Sequence, residues 1–212
     1  TFEIRNVMPL VANLDGTNQP AFKVTERGWA GSFNGSNQDL FVVDTPPGSI
    51  TVRLDILTGN FCWMMWAYPT DLTGFKCLLS IGAFVPGFYV SLNGNFGLFH
   101  TISLPSGQTA VVNQWQHFAV VRENGVAKYY YNGVQTSTTQ TYTTSIANST
   151  IEVGDSGGGA GEQFIGEMYD IRMYNRALSS DEIFNIVTGN YTLQNDIQLI
   201  FPDGGRRRWI VQ

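Results

Sequence analysis

Residues 164–183 read FIGEMYDIRMYNRALSSDEI and join a long apolar strand pattern to the start of a helix. The Ser179 hydroxyl can accept a hydrogen bond from the amide of Glu182, whose carboxylate can reach back, and this pairing is a capping box. An apolar stripe at helical spacing follows, formed by Ile183, Ile186 and Val187. Gly189 is placed to end the helix. The segment therefore predicts one strand followed by one short helix.

Strand patterns fill the chain before this helix and recur at the spacing typical of a β-sandwich. They lie at 38–44, 49–56, 60–68, 75–83, 87–93, 96–102, 115–123, 126–131, 149–153 and 164–174. The 23 glycines among 212 residues fit many short elements joined by tight turns. The sequence thus predicts an antiparallel all-β domain. Residues 60–68 (NFCWMMWAY) are apolar on both strand faces, which predicts one face on the core and the other lining a concave, aromatic-rich surface.

The charge balance limits the partners that this chain can attract. Twelve lysines and arginines oppose 17 acidic residues, which gives a formal charge of −5. We therefore expect no nucleic-acid partner and no attraction to an anionic membrane. No apolar run approaches the roughly 18 residues of a membrane span, so we expect no membrane insertion. The length suits a single domain over residues 1–212.

Cysteine and histidine are scarce. Cys62 and Cys77 are the only cysteines, which excludes a disulfide scaffold and a thiolate zinc cluster. They lie on consecutive predicted strands, so a bridge is conceivable, but two buried free thiols are favoured. His100 and His117 are too few for a histidine-rich metal site, and His117 is expected to pack within its strand.

Four segments share a family pattern in their order and spacing. They are GSFNGS (31–36) with QDLFVVD (38–44), NFCWMMWAYPT (60–70), WQHFAVV (115–121) with YYNG (130–133), and FIGEMYDIRMYNRALS (164–179) with its helix. Together they resemble the laminin G-like group of concanavalin A-type jelly rolls. The resemblance covers residues 28–188, which leaves 1–27 and 189–212 as terminal strands or arms. It implies two packed antiparallel sheets, one of them concave, and often one calcium ion.

The resemblance leaves function open, because such domains occur as glycan-binding lectins, adhesion modules, appendages of secreted enzymes and parts of viral particles. The same fold also carries β-glucan hydrolases, which use paired carboxylates on one strand of the concave sheet. Their E-x-D-x-E type of pattern is absent here. Glu167 and Asp170 come nearest, but their odd spacing predicts opposite strand faces. A retaining hydrolase needs two carboxyl groups about 5–5.5 Å apart, so we expect no enzyme.

Calcium is the one cofactor that the resemblance suggests, in a structural role. Asp170 occupies the position where relatives with this last strand often supply a carboxylate to calcium. Backbone carbonyls near Asn34 and Gly35 could complete the shell, and Asp155 is an alternative ligand. A plain surface aspartate is an equally acceptable interpretation of Asp170.

Low charge combined with 13% aromatic residues suits recognition of neutral, polyhydroxylated ligands such as sugars. The family pattern implies that Tyr129 and Tyr131 face the core, which leaves the Tyr130 side chain on the concave face of the sheet. The candidate ligand-binding residues are Trp66, Tyr68, Asn93, Asn95, Phe99 and Tyr130. The alternative is that most of these rings fill the core. The leading hypothesis is a non-catalytic adhesion module that binds a glycan or glycoprotein surface.

A structural role is the competing hypothesis. The terminal segments TFEIRNVMPLVANL (1–14) and YTLQNDIQLIFPDGGRRRWIVQ (191–212) could grip neighbouring subunits of a virion or filament, as a surface decoration protein would. They could equally be the first and last strands of the same sandwich. Both hypotheses predict an extracellular location or a virion surface.

Overall fold

The structure, a computed structural model, describes residues 20–36, 40–42, 59–81, 87–90, 94–100, 102–144, 151–156, 161–190 and 210–211. Its elements in chain order are β1 (Ala21–Thr25), β2 (Gly28–Asn34), β3 (Leu40–Val42), β4 (Phe61–Pro69), β5 (Lys76–Ile81), β6 (Gly87–Val90), β7 (Asn95–His100), β8 (Ile102–Thr109), β9 (Gln116–Glu123), β10 (Val126–Tyr131), β11 (Val134–Thr141), β12 (Ile151–Val153), β13 (Ile165–Tyr174), α1 (Ser180–Thr188) and β14 (Ile210–Val211). The strand predicted at 49–56 lies outside the described residues. Within them, no helix has the length and apolarity to cross a membrane.

The strands form two sheets. An eight-stranded sheet has the order β1-β2-β13-β4-β9-β10-β11, with β14 added beside β13, and a six-stranded sheet has the order β3-β12-β5-β6-β7-β8. Every described pairing is antiparallel except that of β13 with β14. Rings from the two sheets meet in the core, as where Phe96 and Phe118 lie 4.9 Å apart between ring centroids. The predicted all-β sandwich with one helix is confirmed.

Strand β4 is buried on both faces, for two different reasons. Its inward residues join the core between the sheets, and these are Phe61, Trp63, Met65 and Ala67. Its outward residues Cys62 and Met64 pack instead against Ile183 and Ile186 of α1. The prediction that this second face lines an open concave surface is therefore wrong for Cys62 and Met64, because the helix covers them.

Helix α1 has the ends that the sequence predicts. The Ser179 hydroxyl accepts from the amide of Glu182 at 3.2 Å, and the Glu182 carboxylate accepts from the amide of Ser179 at 2.9 Å. Gly189 ends the helix in the left-handed region, with φ of 75°. The predicted capping box and helix end are confirmed.

A β-bulge at Asp170 interrupts the regular alternation of inward and outward side chains along β13. Asp170 has φ of 52°, and the pairing of β13 with β4 shifts register there. Met168 and Ile171 both reach the core although they are three residues apart. Glu167 and Asp170 consequently both lie on the outer side of the sheet. The prediction that they face opposite sides is wrong, because the bulge adds one residue to the alternation.

The same bulge separates two partners of β13. Antiparallel β2 pairs with residues 165–168, whereas Ile210 and Val211 pair in parallel with residues 172–173. This described part of the C-terminal segment thus adds a strand to its own chain, as one of the two interpretations predicts.

The two cysteines are free, and they lie on different sheets. Cys62 is in β4 of the eight-stranded sheet, and Cys77 is in β5 of the six-stranded sheet. Burial raises the pKa of both thiols above the ordinary value. The expectation of buried free thiols is confirmed.

Candidate functional site

The outer face of the six-stranded sheet carries aromatic side chains. In β6 and β7 the inward residues belong to the core, and these are Phe88, Val90, Phe96 and Leu98. Tyr89 and Phe99 alternate with them and therefore point outward. Phe75, immediately before β5, contacts both rings. The one described helix packs on the other sheet, so no described helix covers this face.

These three rings, which we term the aromatic cluster, contact one another edge to face. Ring centroids lie 5.8 Å apart for Tyr89 and Phe99, 6.0 Å for Phe75 and Phe99, and 6.3 Å for Phe75 and Tyr89. Tyr89 is only 4% exposed, while the two phenylalanines are half-buried. Gly87 permits this arrangement, because a Cβ atom there would overlap the Tyr89 ring. The Tyr89 ring thus lies over the Gly87 backbone, with Phe75 and Phe99 beside it.

Polar side chains lie next to the aromatic cluster. We term Asp155, Ser156, Glu162 and Gln163 the polar rim. The Ser156 hydroxyl donates to the Glu162 carboxylate at 2.8 Å, and the amide of Ser156 donates to Asp155 Oδ1 at 2.6 Å. The backbone oxygen of Asp155 accepts from the Cys77 thiol at 3.1 Å, and the backbone oxygen of Glu162 accepts from the Cys77 amide at 2.8 Å. These bonds fix the polar rim to β5.

Several carboxylates lie close to the Cys77 thiol at this face. Burial raises the pKa of the Cys77 thiol, and the nearby carboxylates Asp155, Glu152 and Glu162 raise it further. Burial likewise raises the pKa of the Tyr89 hydroxyl, which lies close to Cys77 and Glu162. Lys76 is the cation that the described residues supply here, and its Nζ lies 3.2 Å from the Gly161 oxygen and 3.4 Å from an Asp71 carboxylate oxygen.

The outer face of the eight-stranded sheet is divided in two. Helix α1 covers one half, and aromatic and basic residues occupy the other. Tyr68 and Trp115 are half-buried, with ring centroids 5.6 Å apart. The Arg27 guanidinium lies 3.3 Å above the Trp66 ring, and Trp66 contacts His117 edge to face at 5.4 Å.

The predicted ligand-binding residues do not form one surface. Trp66 and Tyr68 lie on the outer face of the eight-stranded sheet, whereas Phe99 and Asn95 lie on that of the six-stranded sheet. Tyr130 is 2% exposed, and its hydroxyl lies 3.1 Å from that of Ser180 in α1. Its predicted position on an open sheet is wrong, because the helix docks over it.

The remaining predicted positions have mixed outcomes. Asn93 lies outside the described residues. Asn95 faces outward opposite Thr109, and its Oδ1 has no hydrogen-bond partner among the described residues. Tyr129 is fully buried in the core, and Tyr131 packs against the core, as the family pattern implies.

Sequence reasoning missed Phe75, Tyr89 and Trp115. Strand alternation in GFYV (87–90) could have indicated Tyr89, since Phe88 and Val90 flank it and both face inward. Phe75 and Trp115 precede their strands, where alternation gives no direction. Only the packed structure reveals their ring partners.

The residues proposed for calcium do not form a shell. Both Asp170 carboxylate oxygens accept from Arg172 at 2.9 Å, and the two side chains are only 10% and 6% exposed. Asn34 pairs with Ile165, five residues before Asp170, which is about 16 Å along a strand. Gly35 follows Asn34 and packs against Ile165. These residues do not fit a shared calcium ion. Within the described residues, no three His, Cys, Asp or Glu side chains converge on a metal position.

Comparison with known families assigns the fold. A laminin G-like family model described as Concanavalin A-like lectin/glucanases superfamily matches residues 43–184. The chain belongs to this superfamily. The resemblance seen in the sequence is thereby confirmed, and the two-sheet sandwich is the fold expected of a member.

The chain is similar to proteins of several different kinds. Usherin of Homo sapiens is 31% identical over 110 residues, or 49% of this chain and 2% of usherin, and usherin of Mus musculus is 28% identical over 111 residues. The chain therefore spans a small part of these relatives. A heptameric SAP-like pentraxin from Limulus polyphemus aligns with a TM-score of 0.56 and 19% identity over 74% of this chain and 80% of the pentraxin.

Domain 4 of AbnA, a GH43 extracellular arabinanase from Geobacillus stearothermophilus, aligns with a TM-score of 0.61 and 18% identity. The alignment covers 84% of this chain and 85% of that domain, whose structure is a complex with arabinotriose. At these identities the two structural matches establish the shared fold alone.

Proposed function

We propose that this domain is a non-catalytic binding module that recognises neutral carbohydrate on the outer face of its six-stranded sheet. The observation that carries the proposal is the aromatic cluster of Phe75, Tyr89 and Phe99 lying directly beside the polar rim. A sugar presents an apolar C–H face and a ring of hydroxyls, and this surface offers a complement to each.

The polar rim supplies acceptors for sugar hydroxyls. Carboxylates and amides accept strong hydrogen bonds from hydroxyl groups, and Asp155, Glu162 and Gln163 carry such groups next to the rings. Glu162 accepts from the Ser156 hydroxyl, and the Gln163 side chain donates to Asp155 and accepts from the Gly161 amide. Together with the bonds of Asp155 and Glu162 backbone oxygens to Cys77, these bonds hold the polar rim in place before a ligand arrives. A preorganised site of this kind loses less entropy when it binds.

Charge favours neutral sugars over acidic ones at this face. Glu152, Asp155 and Glu162 all act on the Cys77 thiol, which indicates a locally negative potential. A uronate or sulfated sugar would meet like charge here, whereas a neutral sugar would not.

The likeness to domain 4 of the arabinanase supports the proposal, since that domain is solved with arabinotriose. That protein is described as extracellular, and an extracellular location would give this domain access to glycans or glycoproteins. We therefore propose an extracellular glycan partner for this chain.

The nearest pair of carboxylates supports a non-catalytic role. Glu167 and Asp170 share the outer face of the eight-stranded sheet, but each faces a cation, Lys23 for the first and Arg172 for the second. A retaining pair instead holds its two carboxyl groups across the scissile bond. We expect no release of reducing sugar from β-glucans.

Titration calorimetry with neutral oligosaccharides, arabinotriose among them, tests the proposal. We expect Phe99→Ala to weaken binding by about tenfold, because it removes one stacking ring worth roughly 1.4 kcal/mol. Phe184→Ala is the matched control, since Phe184 is an exposed phenylalanine on the helix, away from this face. Equal affinities for Phe99→Ala and the unmodified chain would contradict the site. A broad glycan array without any neutral ligand would contradict the function.

A further inference from the structure

A second cluster lies on the outer face of the eight-stranded sheet, around Trp66. Strand register sets Tyr169, Trp66 and His117 side by side across β13, β4 and β9. Arg27, in the turn between β1 and β2, lays its guanidinium 3.3 Å above the Trp66 ring. Arg172 of β13 adds a second guanidinium close to His117. Three strands and the turn thus bring Arg27 onto the Trp66 indole and both guanidinium groups near the His117 imidazole.

Three nitrogen atoms of this cluster have no hydrogen-bond partner among the described residues. They are Nε of Arg27, Nη1 of Arg172 and Nδ1 of His117. Arg172 is 6% exposed and His117 is 1% exposed. Asp170 accepts from Nε and Nη2 of Arg172, and the Tyr174 hydroxyl interacts with the same guanidinium. More than about nine in ten buried polar groups in folded proteins have a partner. Because none of the described residues accepts from these two arginine nitrogens, a bound acceptor would complete the cluster.

The charge of the cluster selects an anion. Arg172 is already paired with Asp170, but no described carboxylate lies within salt-bridge distance of Arg27, and the nearby Glu26 is exposed in the turn. Burial lowers the pKa of His117 to about 3, and Arg172 and Arg27 contribute to that lowering. His117 is therefore neutral at physiological pH, and the uncompensated charge belongs to Arg27.

The shape of these donors suits a planar carboxylate. A guanidinium presents its N–H groups in a fixed fork that matches the two oxygens of a carboxylate. The stacking of Arg27 on Trp66 is worth about 0.5–2 kcal/mol, so the side chain can leave the indole at modest cost. The indole is only 7% exposed with Arg27 over it, and once Arg27 moves it would offer a stacking face for the sugar ring that bears the carboxylate. Tyr68 and Trp115, one row along the sheet, extend the aromatic surface.

We propose that Arg27, Arg172 and His117 form a second binding site, specific for the carboxylate of an acidic sugar that stacks on Trp66. This site is separate from the aromatic cluster and polar rim, which face the other side of the sandwich and repel anions. It can therefore be tested independently of the proposed neutral-sugar function.

The test is an NMR titration of the full chain with D-glucuronate, with D-glucose, glucose 6-sulfate and acetate as separate arms. The chain has only two histidines, so the His117 ring signals are assigned by comparison with a His100→Gln variant. We expect glucuronate to shift the His117 ring signals saturably at neutral pH, because a bound anion lies close to this ring. Glucose should leave these signals unchanged.

Arg27→Gln should weaken glucuronate binding about tenfold or more, the usual effect of losing a charge-assisted hydrogen bond. Arg176→Gln is the matched control, since Arg176 is an exposed arginine that pairs with Glu182 beside the helix. Equal affinity of the two variants for glucuronate would overturn the proposal, as would His117 signals that do not move. Acetate that binds as well as glucuronate would indicate an adventitious ion only. Tighter binding of glucose 6-sulfate would overturn the carboxylate assignment.

Discussion

Replacing Asp170 by asparagine isolates the charge of the buried ion pair on β13. Asparagine has nearly the size of aspartate and tolerates the left-handed backbone that Asp170 adopts at φ of 52°. The variant Asp170→Asn therefore leaves the bulge in place and removes only the negative charge opposite Arg172. Both partners are almost fully buried and share two hydrogen bonds of 2.9 Å.

Breaking a buried pair from one side costs about 3–5 kcal/mol, because the remaining charge stays buried without compensation. The asparagine oxygen can still accept one of the two hydrogen bonds, so we expect the lower end, about 3 kcal/mol. For a domain near this size, 1 kcal/mol corresponds to about 2–4 °C, which predicts a melting temperature lower by about 6–12 °C.

The assay is thermal unfolding followed by circular dichroism, with calcium and with EDTA. The double variant Asp170→Asn with Arg172→Met should regain much of the loss, because it leaves no unpaired charge. A loss under about 2 °C for Asp170→Asn would refute the buried pair. Calcium that stabilises the unmodified chain but not the variant would make Asp170 a metal ligand, as the family resemblance implies.

Three further perturbations test other parts of the structure. Arg176 and the capping amide hold the pKa of Glu182 below 4.5, so this carboxylate adds stability at neutral pH that is lost as the pH falls through its folded-state value. Glu182→Gln should consequently melt lower than the unmodified chain at neutral pH, by a margin that shrinks as the pH falls through the folded-state pKa of Glu182, and a constant difference would contradict this. Burial raises the pKa of Cys62 and Cys77, so a thiol reagent should label neither cysteine in the folded chain and both in denaturant; fast labelling of the folded chain would contradict their burial. Gly87→Ala should weaken neutral-sugar binding without changing the fold, because the added methyl group displaces the Tyr89 ring that lies over Gly87. Unchanged affinity would show that the Tyr89 ring does not contribute to binding.

The parts of the fold that depend on local chemistry were predictable from the sequence. The Ser179 capping box, Gly189 and the apolar alternation of residues 164–174 each act within a few residues, and each appears as predicted, apart from the alternation at Asp170. An aspartate is compatible with either a regular strand or a left-handed bulge. The sequence alone therefore cannot reveal that the side-chain alternation of β13 changes at Asp170.

Strand β11 shows a second limit of pattern reasoning. Its sequence VQTSTTQT is polar on both faces, because it is an edge strand of the eight-stranded sheet and little of it reaches the core. Without an apolar alternation, nothing in the pattern distinguishes it from a loop, although threonine favours strands. The strand was therefore missing from the predicted set.

The candidate site depended on information that the sequence does not carry locally. Trp66 and Phe99 look equivalent as strand aromatics, but they belong to different sheets. Tyr130 has the alternation of an outward residue, and it is buried only because α1 docks on that side. Assigning a ring to a surface requires knowing which sheet holds its strand and what covers that sheet.

The proposed neutral-carbohydrate site on the outer face of the six-stranded sheet can be located by backbone and side-chain chemical-shift mapping with arabinotriose. This method reports which face binds as well as the affinity. We predict shifts concentrated on Phe75, Tyr89, Phe99 and the polar rim. Shifts concentrated around Trp66 and Trp115, or none with any neutral oligosaccharide, would show that this face does not bind neutral carbohydrate.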